Sequence, residues 1–233
     1  MKYEELRREV CRVNKELADS GLVVLTWGNA SQADRDEGVM AIKPSGVDYD
    51  TLEPEDIVVV DIASGHVRDG EMRPSSDTPT HLTLYREFEA AGGVVHTHSS
   101  RATAWAQAGR SIPCMGTTHA DHFRGAVPVT RQLKTDEIRE EYEANAGRVI
   151  VEHFRDNNVR PDHMPAALLP GHGPFTWGAD AQEAFDNAVA LEEVAGTALL
   201  TLQVEPDAEP LERPLLDKHF LRKHGEDAYY GQD

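Results

Sequence analysis

The chain has 233 residues, of which 39% are hydrophobic, and it carries a formal net charge of −18. That length suits one domain spanning residues 1–233, and the acidity argues against binding to nucleic acid. No stretch is apolar for long enough to form a membrane helix, and the charged N-terminus is unlike a signal peptide. Cys11 and Cys114 form no metal or disulfide framework. We therefore expect a cytoplasmic protein with neither a nucleic-acid nor a membrane partner.

Hydrophobic periodicity predicts helices and strands that follow one another along the chain. The predicted helices cover residues 3–19, 79–88, 101–108, 135–145, 148–157, 180–204 and 214–224, and the predicted strands cover 22–25, 39–42, 57–62, 94–99 and 166–169. Pro79 suits the first turn of its helix, with Asp77 or Thr78 as N-cap. Because strands outnumber clean βαβ units, we expect an α/β fold with a mixed central sheet between helix layers.

The predicted strand at 94–99 carries two histidines, His96 and His98. Alternate residues of a strand share a face, so both imidazoles can bind one divalent metal, although histidines at a strand end need no metal. His172, between two glycines in a predicted loop, offers a third ligand. Three histidines with an open position are typical of catalytic zinc. Asp77 is a candidate fourth ligand or base, or only a helix cap.

A candidate phosphate-binding cradle comes from small and polar residues at the ends of separate predicted segments. Backbone N–H groups and hydroxyls in such turns bind anions, and a lysine adds positive charge, although each turn alone is common. The candidate residues are Gly28, Asn29, Lys43, Ser45, Gly46, Ser75 and Ser76.

Candidate acid–base residues occur in a predicted polar loop at 116–122 and near the C-terminus. Asp121 belongs to that loop, and His219, Arg222 and Tyr230 lie in the last predicted helix and the tail. Terminal tails are usually solvated, which would leave Tyr230 without a role. If the tail instead docks on a neighbouring subunit, Arg222 can bind a phosphate and Tyr230 can donate a proton.

Seven short motifs, spread over nearly the whole chain, support these assignments together. They are GNAS at 28–31, KPSG at 43–46, SSDTPTH at 75–81, HTHS at 96–99, TTHAD at 117–121, GHGPFTWG at 171–178 and KHFLRKHGEDAYYGQ at 218–232. In this order they resemble the class II aldolase and L-ribulose-5-phosphate 4-epimerase family. Single motifs are unspecific, whereas the combination is highly specific.

The resemblance implies a three-layer α/β/α fold and a homotetramer with active sites between subunits. It implies zinc at His96, His98 and His172, with Asp77 at or beside the metal, while Mn²⁺ and Co²⁺ suit the same donors. The cradle residues fall on the family's substrate and phosphate positions. The implied acid–base pair is Asp121 and Tyr230, and His219 and Arg222 would reach in from the neighbouring subunit, Arg222 toward the phosphate.

The resemblance also implies an activity, the interconversion of L-ribulose 5-phosphate and D-xylulose 5-phosphate by cleaving and re-forming the C3–C4 bond. The family's aldolases carry a glutamate where this chain has Asp77, and the shorter side chain favours the epimerase. One alternative is a class II aldolase of the L-fuculose-1-phosphate type. Another is a non-catalytic binding module similar to the adducin head, which has no need of three metal histidines. L-Arabinose and L-ascorbate catabolism both use the epimerase reaction.

Overall fold

The computed structural model describes residues 1–225 and 227–230. In this part of the chain the helices are α1 (Glu4–Asp19), α2 (Thr78–Glu87), α3 (Ser100–Gln107), α4 (Thr117–Ala120), α5 (Thr135–Glu140), α6 (Tyr142–Asp156), α7 (Ala181–Val204) and α8 (Arg213–His224). The strands are β1 (Asn29–Asp34), β2 (Val39–Ile42), β3 (Val58–Asp61), β4 (Val67–Asp69), β5 (Gly93–His96), β6 (Ala166–Leu168) and β7 (Pro174–Gly178). None of these helices combines the length and apolar character needed to cross a membrane. Glu226 and the last three residues of the predicted tail, Gly231, Gln232 and Asp233, lie outside the described residues.

The described strands form one sheet in the order β4-β3-β2-β1-β5-β7-β6. The pairings between these strands are antiparallel. Within the described residues, the parallel component expected of a mixed sheet is a single bridge between Val129 and Leu168. In the centre of the sheet, Asn29 lies opposite His96, and His96 lies opposite Phe175. This register brings the first residue of β1, the last of β5 and the start of β7 together.

Both faces of the sheet are apolar and covered by helices. Alternate residues of β2 point to opposite faces. Met40 and Ile42 join the core formed with α2, α3 and α6, whereas Val39 and Ala41 pack with α1. The first half of α7 packs beside α1 against Val95 of β5. The three-layer α/β/α architecture expected from the sequence is therefore confirmed.

The strand predicted over 22–25 is wrong. Leu25 adopts a left-handed backbone with φ of 54°, and Val24 and Leu25 are exposed, so this apolar run does not enter the sheet. The next strand is instead β1, whose small and polar residues carry too weak an apolar alternation to predict it. Strands β4 and β7 were likewise not predicted, whereas the strand over 39–42 is confirmed.

Two helical segments also differ from the prediction. The predicted polar loop at 116–122 contains the short helix α4. The predicted helices 135–145 and 148–157 are divided at Glu141, whose φ of −133° and ψ of 62° end α5. As a result α6 begins at Tyr142, and its first residues face the loops beside β5 and β7.

Two glycines allow the loops before β1 and β7 to press against the end of β5. Gly28 has φ of +114°, and a Cβ there would lie 2.8 Å from the carbonyl oxygen of His96. A Cβ at Gly173 would lie 2.6 Å from the carbonyl oxygen of Thr97. Neither position has room for a side chain. The fold therefore brings residues of three distant segments to one strand end.

Candidate active site

Three histidines converge where β5 ends. His96 is the last residue of β5, His98 follows two residues later, and His172 lies in the loop between β6 and β7. The Nε2 atoms of His96 and His98 are 3.1 Å apart. One ring nitrogen from each of the three residues lies within 4.8 Å of the others. His98 lies beyond the strand rather than on it, but the predicted ligands still form one group that could bind a metal ion.

Hydrogen bonds at Nδ1 orient two of the three rings. His96 Nδ1 donates to the carbonyl oxygen of Pro174 at 2.9 Å, and the imidazole stacks on Phe175 with ring centroids 4.2 Å apart. His172 Nδ1 is hydrogen-bonded to the hydroxyl of Tyr142 at 3.1 Å. With Nδ1 engaged, the Nε2 atom of each ring is available as a ligand.

The environment keeps two of the histidines, His98 and His172, in the form that binds metals. Burial lowers the pKa of His98, and the neighbouring His96 lowers it further. Burial together with His96 and His98 lowers the pKa of His172 to about 4. Both imidazoles are therefore neutral at neutral pH, as metal coordination requires. Three convergent imidazoles, of which His96 is buried and His98 and His172 are more exposed, fit Zn²⁺ with one position left open.

Asp77 lies beside this cluster, at the start of α2. Its position is that of the N-cap, but its side chain makes no capping hydrogen bond. Its Oδ2 instead accepts a hydrogen bond from Asn29 Nδ2 at 2.7 Å, and the same amide donates to Ser75 Oγ at 3.0 Å. Burial raises the pKa of Asp77, but His96, His81 and the Asn29 hydrogen bond together hold it below its usual range. The carboxylate is thus ionised and fixed, with its second oxygen uncommitted among the described residues.

The predicted cradle and two of the histidines line one cavity of about 610 Å³. The predicted residues in its wall are Gly28, Asn29, Lys43, Ser45, Gly46, Ser75, Ser76, Asp77, His98 and His172. These residues come from segments far apart in the sequence. A ligand in the cavity can therefore touch the cradle and the histidine cluster together.

The structure identifies which cradle donors are free for an anion. The N–H groups of Ser45 and Ser75 donate to neighbouring backbone carbonyl oxygens at 3.0 Å, so they are unavailable. Within the described part of the chain, no partner engages the N–H groups of Gly46 and Ser76 or the hydroxyls of Ser45 and Ser76. The cradle can therefore offer the N–H groups of Gly46 and Ser76 and the hydroxyls of Ser45 and Ser76, but not the N–H groups of Ser45 and Ser75.

Lys43 lies in the wall of the same cavity. Its ammonium donates to the carbonyl oxygens of Val47 and Pro44 and sits 4.6 Å from the centre of the Tyr49 ring. Burial lowers its pKa to about 8, and the carboxylate of Asp48 only partly compensates. Lys43 therefore braces the loop that carries Ser45 and supplies positive charge that is lost above about pH 8.

The remaining predicted residues form a second group on α4, α8 and the tail, which we call the C-terminal cluster (Asp121, His219, Arg222, Tyr230). The Asp121 carboxylate accepts hydrogen bonds from Arg222 at 2.9 and 2.6 Å and from His219 Nδ1 at 3.2 Å. The guanidinium of Arg222 lies 4.6 Å from the centre of the Tyr230 ring. Burial raises the pKa of Asp121, but Arg222 and His219 hold it below its usual range. None of the four residues lines the cavity of its own chain.

Two cavity residues, Tyr142 and Glu143, were not predicted. Sequence patterns place both inside one continuous helix, where they look like ordinary solvent-facing positions. Only the break at Glu141 turns them toward His172. Helix breaks without glycine or proline leave little signal in a single sequence.

The chain is similar to one known protein family over most of its length. The model of the class II aldolase and adducin N-terminal domain matches residues 8–199. The chain is similar to a solved L-fuculose 1-phosphate aldolase, with 26% identity, a TM-score of 0.79, and coverage of 94% of this chain and 96% of that one.

Two further solved structures are similar over most of their length. YgbL from Klebsiella pneumoniae, described as a candidate aldolase/epimerase/decarboxylase, has 25% identity and a TM-score of 0.72, covering 94% of this chain and 99% of that one. The L-fuculose-1-phosphate aldolase of Thermus thermophilus has 27% identity and a TM-score of 0.67, covering 89% and 98%. Because the family model matches residues 8–199, which are most of the chain, this chain belongs to the class II aldolase and adducin N-terminal domain family.

Proposed function

We propose that this protein is a zinc-dependent L-ribulose-5-phosphate 4-epimerase, which interconverts L-ribulose 5-phosphate and D-xylulose 5-phosphate. The observation that carries the proposal is the three-histidine cluster beside Asp77, opening into a cavity that also holds the anion cradle. Asp77 stands where the family's aldolases carry a longer glutamate. Its carboxylate is held by Asn29, which supports a role beside the metal rather than at a substrate carbon.

The reaction requires a carbon–carbon bond to break and re-form. The hydrogen on C4 of a ketopentose is not acidic, so C4 cannot be inverted by simple deprotonation. Cleavage between C3 and C4 gives a three-carbon fragment and glycolaldehyde phosphate, and re-addition to the other face of the aldehyde inverts C4. A divalent cation at the histidines, when bound, supplies Lewis acidity for the negative charge that develops on the ketose oxygens.

The donors of the cradle can hold the phosphate while the C3–C4 bond breaks and re-forms with inversion at C4. The amides of Gly46 and Ser76 and the hydroxyls of Ser45 and Ser76 offer neutral donors at one end of the cavity. Lys43, in the wall of the same cavity, adds positive charge. A phosphate fixed there keeps the two-carbon fragment in the site, and its aldehyde rotates without leaving. Retention of this fragment distinguishes an epimerase from an aldolase.

The proton transfers at the C4 oxygen are assigned to Asp121 and Tyr230 of a neighbouring subunit in a homotetramer. The C-terminal cluster does not line the cavity of its own chain, which supports a role at the cavity of another copy. His219 and Arg222 would arrive with it, Arg222 toward the phosphate. Beside the cavity mouth, Val24, Leu25 and Trp27 are exposed apolar side chains, which supports a protein contact at this edge.

The alternative is a sugar-phosphate aldolase, favoured by the names of two of the similar structures. An aldolase would use the same metal and cradle but release its fragments. The site also suits Mn²⁺ or Co²⁺ in place of Zn²⁺. A protein of the adducin type, acting only by binding, gives no reason for three convergent histidines.

Incubation of the metal-replete protein with L-ribulose 5-phosphate tests the proposal directly. We expect D-xylulose 5-phosphate to form, with no accumulation of dihydroxyacetone or glycolaldehyde phosphate, and a chelator to stop the reaction. Free fragments without the xylulose ester would favour an aldolase. A protein that binds metal but converts neither this ester nor L-fuculose 1-phosphate would contradict both activities.

A further inference from the structure

Tyr142 contacts a candidate metal ligand but has no part in the reaction proposed above. It lies in the wall of the cavity, with its hydroxyl 3.1 Å from His172 Nδ1. The two rings are close to parallel, with an interplanar angle of 29° and centroids 6.1 Å apart. The phenol is therefore placed to control the orientation of one imidazole in the cluster.

The backbone of Tyr142 is anchored to the helix that begins beside Asp77. Thr80 Oγ1 of α2 donates to the carbonyl oxygen of Glu143 at 2.6 Å. One turn further along α6, Gly147 packs so closely that a Cβ there would lie 2.6 Å from the Cβ of Thr83. The first turn of α6 is thus fixed relative to the cavity, and so is the position from which the Tyr142 side chain reaches His172.

The orientation of the His172 ring depends on the Tyr142 hydroxyl, whereas the His96 ring is oriented by other contacts. The Nδ1 atom of His96 is held by a backbone carbonyl oxygen and its ring is stacked on Phe175. In the part of the chain that the structure describes, Tyr142 is the hydrogen-bonding partner of the His172 ring. The loop of His172 is flanked by glycines, and Gly171 has φ of +71°. Without the phenol, the His172 imidazole has no other polar contact among these residues to set its rotation.

The protonation states agree with this arrangement. Burial raises the pKa of Tyr142, with further contributions from Asp77 and Glu143, so the phenol remains neutral. Burial lowers the pKa of His172 to about 4, so the imidazole is neutral as well. One neutral ring nitrogen carries the proton, and a phenol oxygen can accept it.

We propose that Tyr142 is a positioning residue for the metal site, accepting a hydrogen bond from His172 Nδ1–H and thereby directing Nε2 toward the metal. The proposal rests on the metal site of the proposed function but not on the identity of the sugar phosphate. Partners of this kind at a ligating histidine typically contribute about 10- to 100-fold to metal affinity.

The test is a Co²⁺ titration of the metal-stripped protein against a competing chelator, comparing wild type with Tyr142→Phe. Phe keeps the ring and its packing but removes the hydroxyl. We expect the Kd for Co²⁺ to rise by about 10- to 100-fold, with a changed visible absorption spectrum of the bound Co²⁺. Tyr229→Phe, the same change at an exposed position outside the cavity, is the matched control and should leave both readouts unchanged.

Thermal unfolding of the metal-stripped proteins separates positioning from folding, because a positioning role leaves the melting temperature of Tyr142→Phe near that of wild type. A Kd within twofold of wild type, with the same spectrum, would overturn the inference. Tight Co²⁺ binding without epimerase activity would count against the proposed reaction and leave this test intact. Failure of the wild-type protein to bind metal would overturn both.

Discussion

The cavity that holds the histidines and the C-terminal cluster differ in one respect. One chain supplies all the residues that line the cavity, whereas the C-terminal cluster of that chain lies outside it. The cavity gathers its metal donors and anion donors from distant segments, and the donors are held by buried backbone and aromatic contacts. The C-terminal cluster joins α4 to α8 by hydrogen bonds to Asp121 and lies outside that cavity. Tyr230 is 58% exposed. Under the proposed function, one chain would supply the metal and phosphate ligands, and a neighbouring chain would supply the proton-transfer groups.

The largest expected effect comes from the cavity. His98→Ala removes one of three metal donors, so we expect loss of bound metal and a fall in turnover of about 10⁴-fold, the scale of several kcal/mol of charge stabilisation. His153→Ala changes a half-buried histidine of α6 outside the cavity and serves as control. Metal analysis and turnover of L-ribulose 5-phosphate check the prediction. Turnover that survives the loss of metal would remove the metal from the mechanism.

The C-terminal cluster should give a smaller effect of a different kind. Tyr230→Phe removes a proton donor, so we expect turnover to fall by about 10²- to 10⁴-fold with metal content unchanged. Tyr229→Phe is the neighbouring control, since Tyr229 is exposed and belongs neither to the cavity wall nor to the C-terminal cluster. Unchanged turnover in Tyr230→Phe would exclude Tyr230 from the proton transfers.

Mixing variants tests whether the two regions meet between subunits. His98→Ala and Tyr230→Phe are each expected to be inactive, but a tetramer co-expressed from both has some sites with an intact cavity and an intact tail. If each site in a fourfold ring uses two subunits, about one quarter of wild-type activity returns on random mixing. A mixture of His98→Ala with His172→Ala, both damaged in the cavity, should regain nothing. No recovery in the first mixture would refute inter-subunit sites.

The two regions also differ in what their sequence could predict. The spacing of His96 and His98, the glycines around His172 and the cradle motifs led to the cavity because each lies at the end of an element. The pairing of Asp121 with Arg222 joins residues 101 positions apart, and it depends on how α4 packs on α8. No local pattern records such a packing.

Fold prediction failed for segments whose apolar pattern does not correspond to their place in the sheet. The run at 22–25 is apolar but lies outside the sheet, with Val24 and Leu25 exposed, whereas β1 is central to the sheet but begins with Asn29, Ala30 and Ser31. Ala30 and Ser31 are fully buried there, and the Ser31 hydroxyl is hydrogen-bonded to His81 and Tyr85. The three layers were predictable from the alternation of helices and strands, whereas strand register was not. Sequence patterns also missed Tyr142 and Glu143, because only the break between α5 and α6 at Glu141 exposes these two residues to the cavity.

The smallest expected effect is a pH dependence that originates in the cavity and not in the C-terminal cluster. Burial places the pKa of Lys43 at about 8, so the free enzyme loses this positive charge as pH rises through that value. A phosphate ester should then bind less well, and kcat/KM should fall above about pH 8. Lys43→Met removes the charge at every pH, so we expect kcat/KM at pH 7 to fall about tenfold and this alkaline limb to disappear.

Lys43→Arg keeps a charge that does not titrate, and it provides the matched comparison. If the lysine acts through its charge, the arginine variant retains activity above pH 8 relative to its own value at pH 7. If the lysine acts only by bracing the loop through the carbonyl oxygens of Pro44 and Val47, both variants lose activity with no change in the shape of the pH profile. An alkaline limb that persists in Lys43→Met would assign the titration to another group, and the Tyr230→Phe profile would then show whether that group lies in the C-terminal cluster.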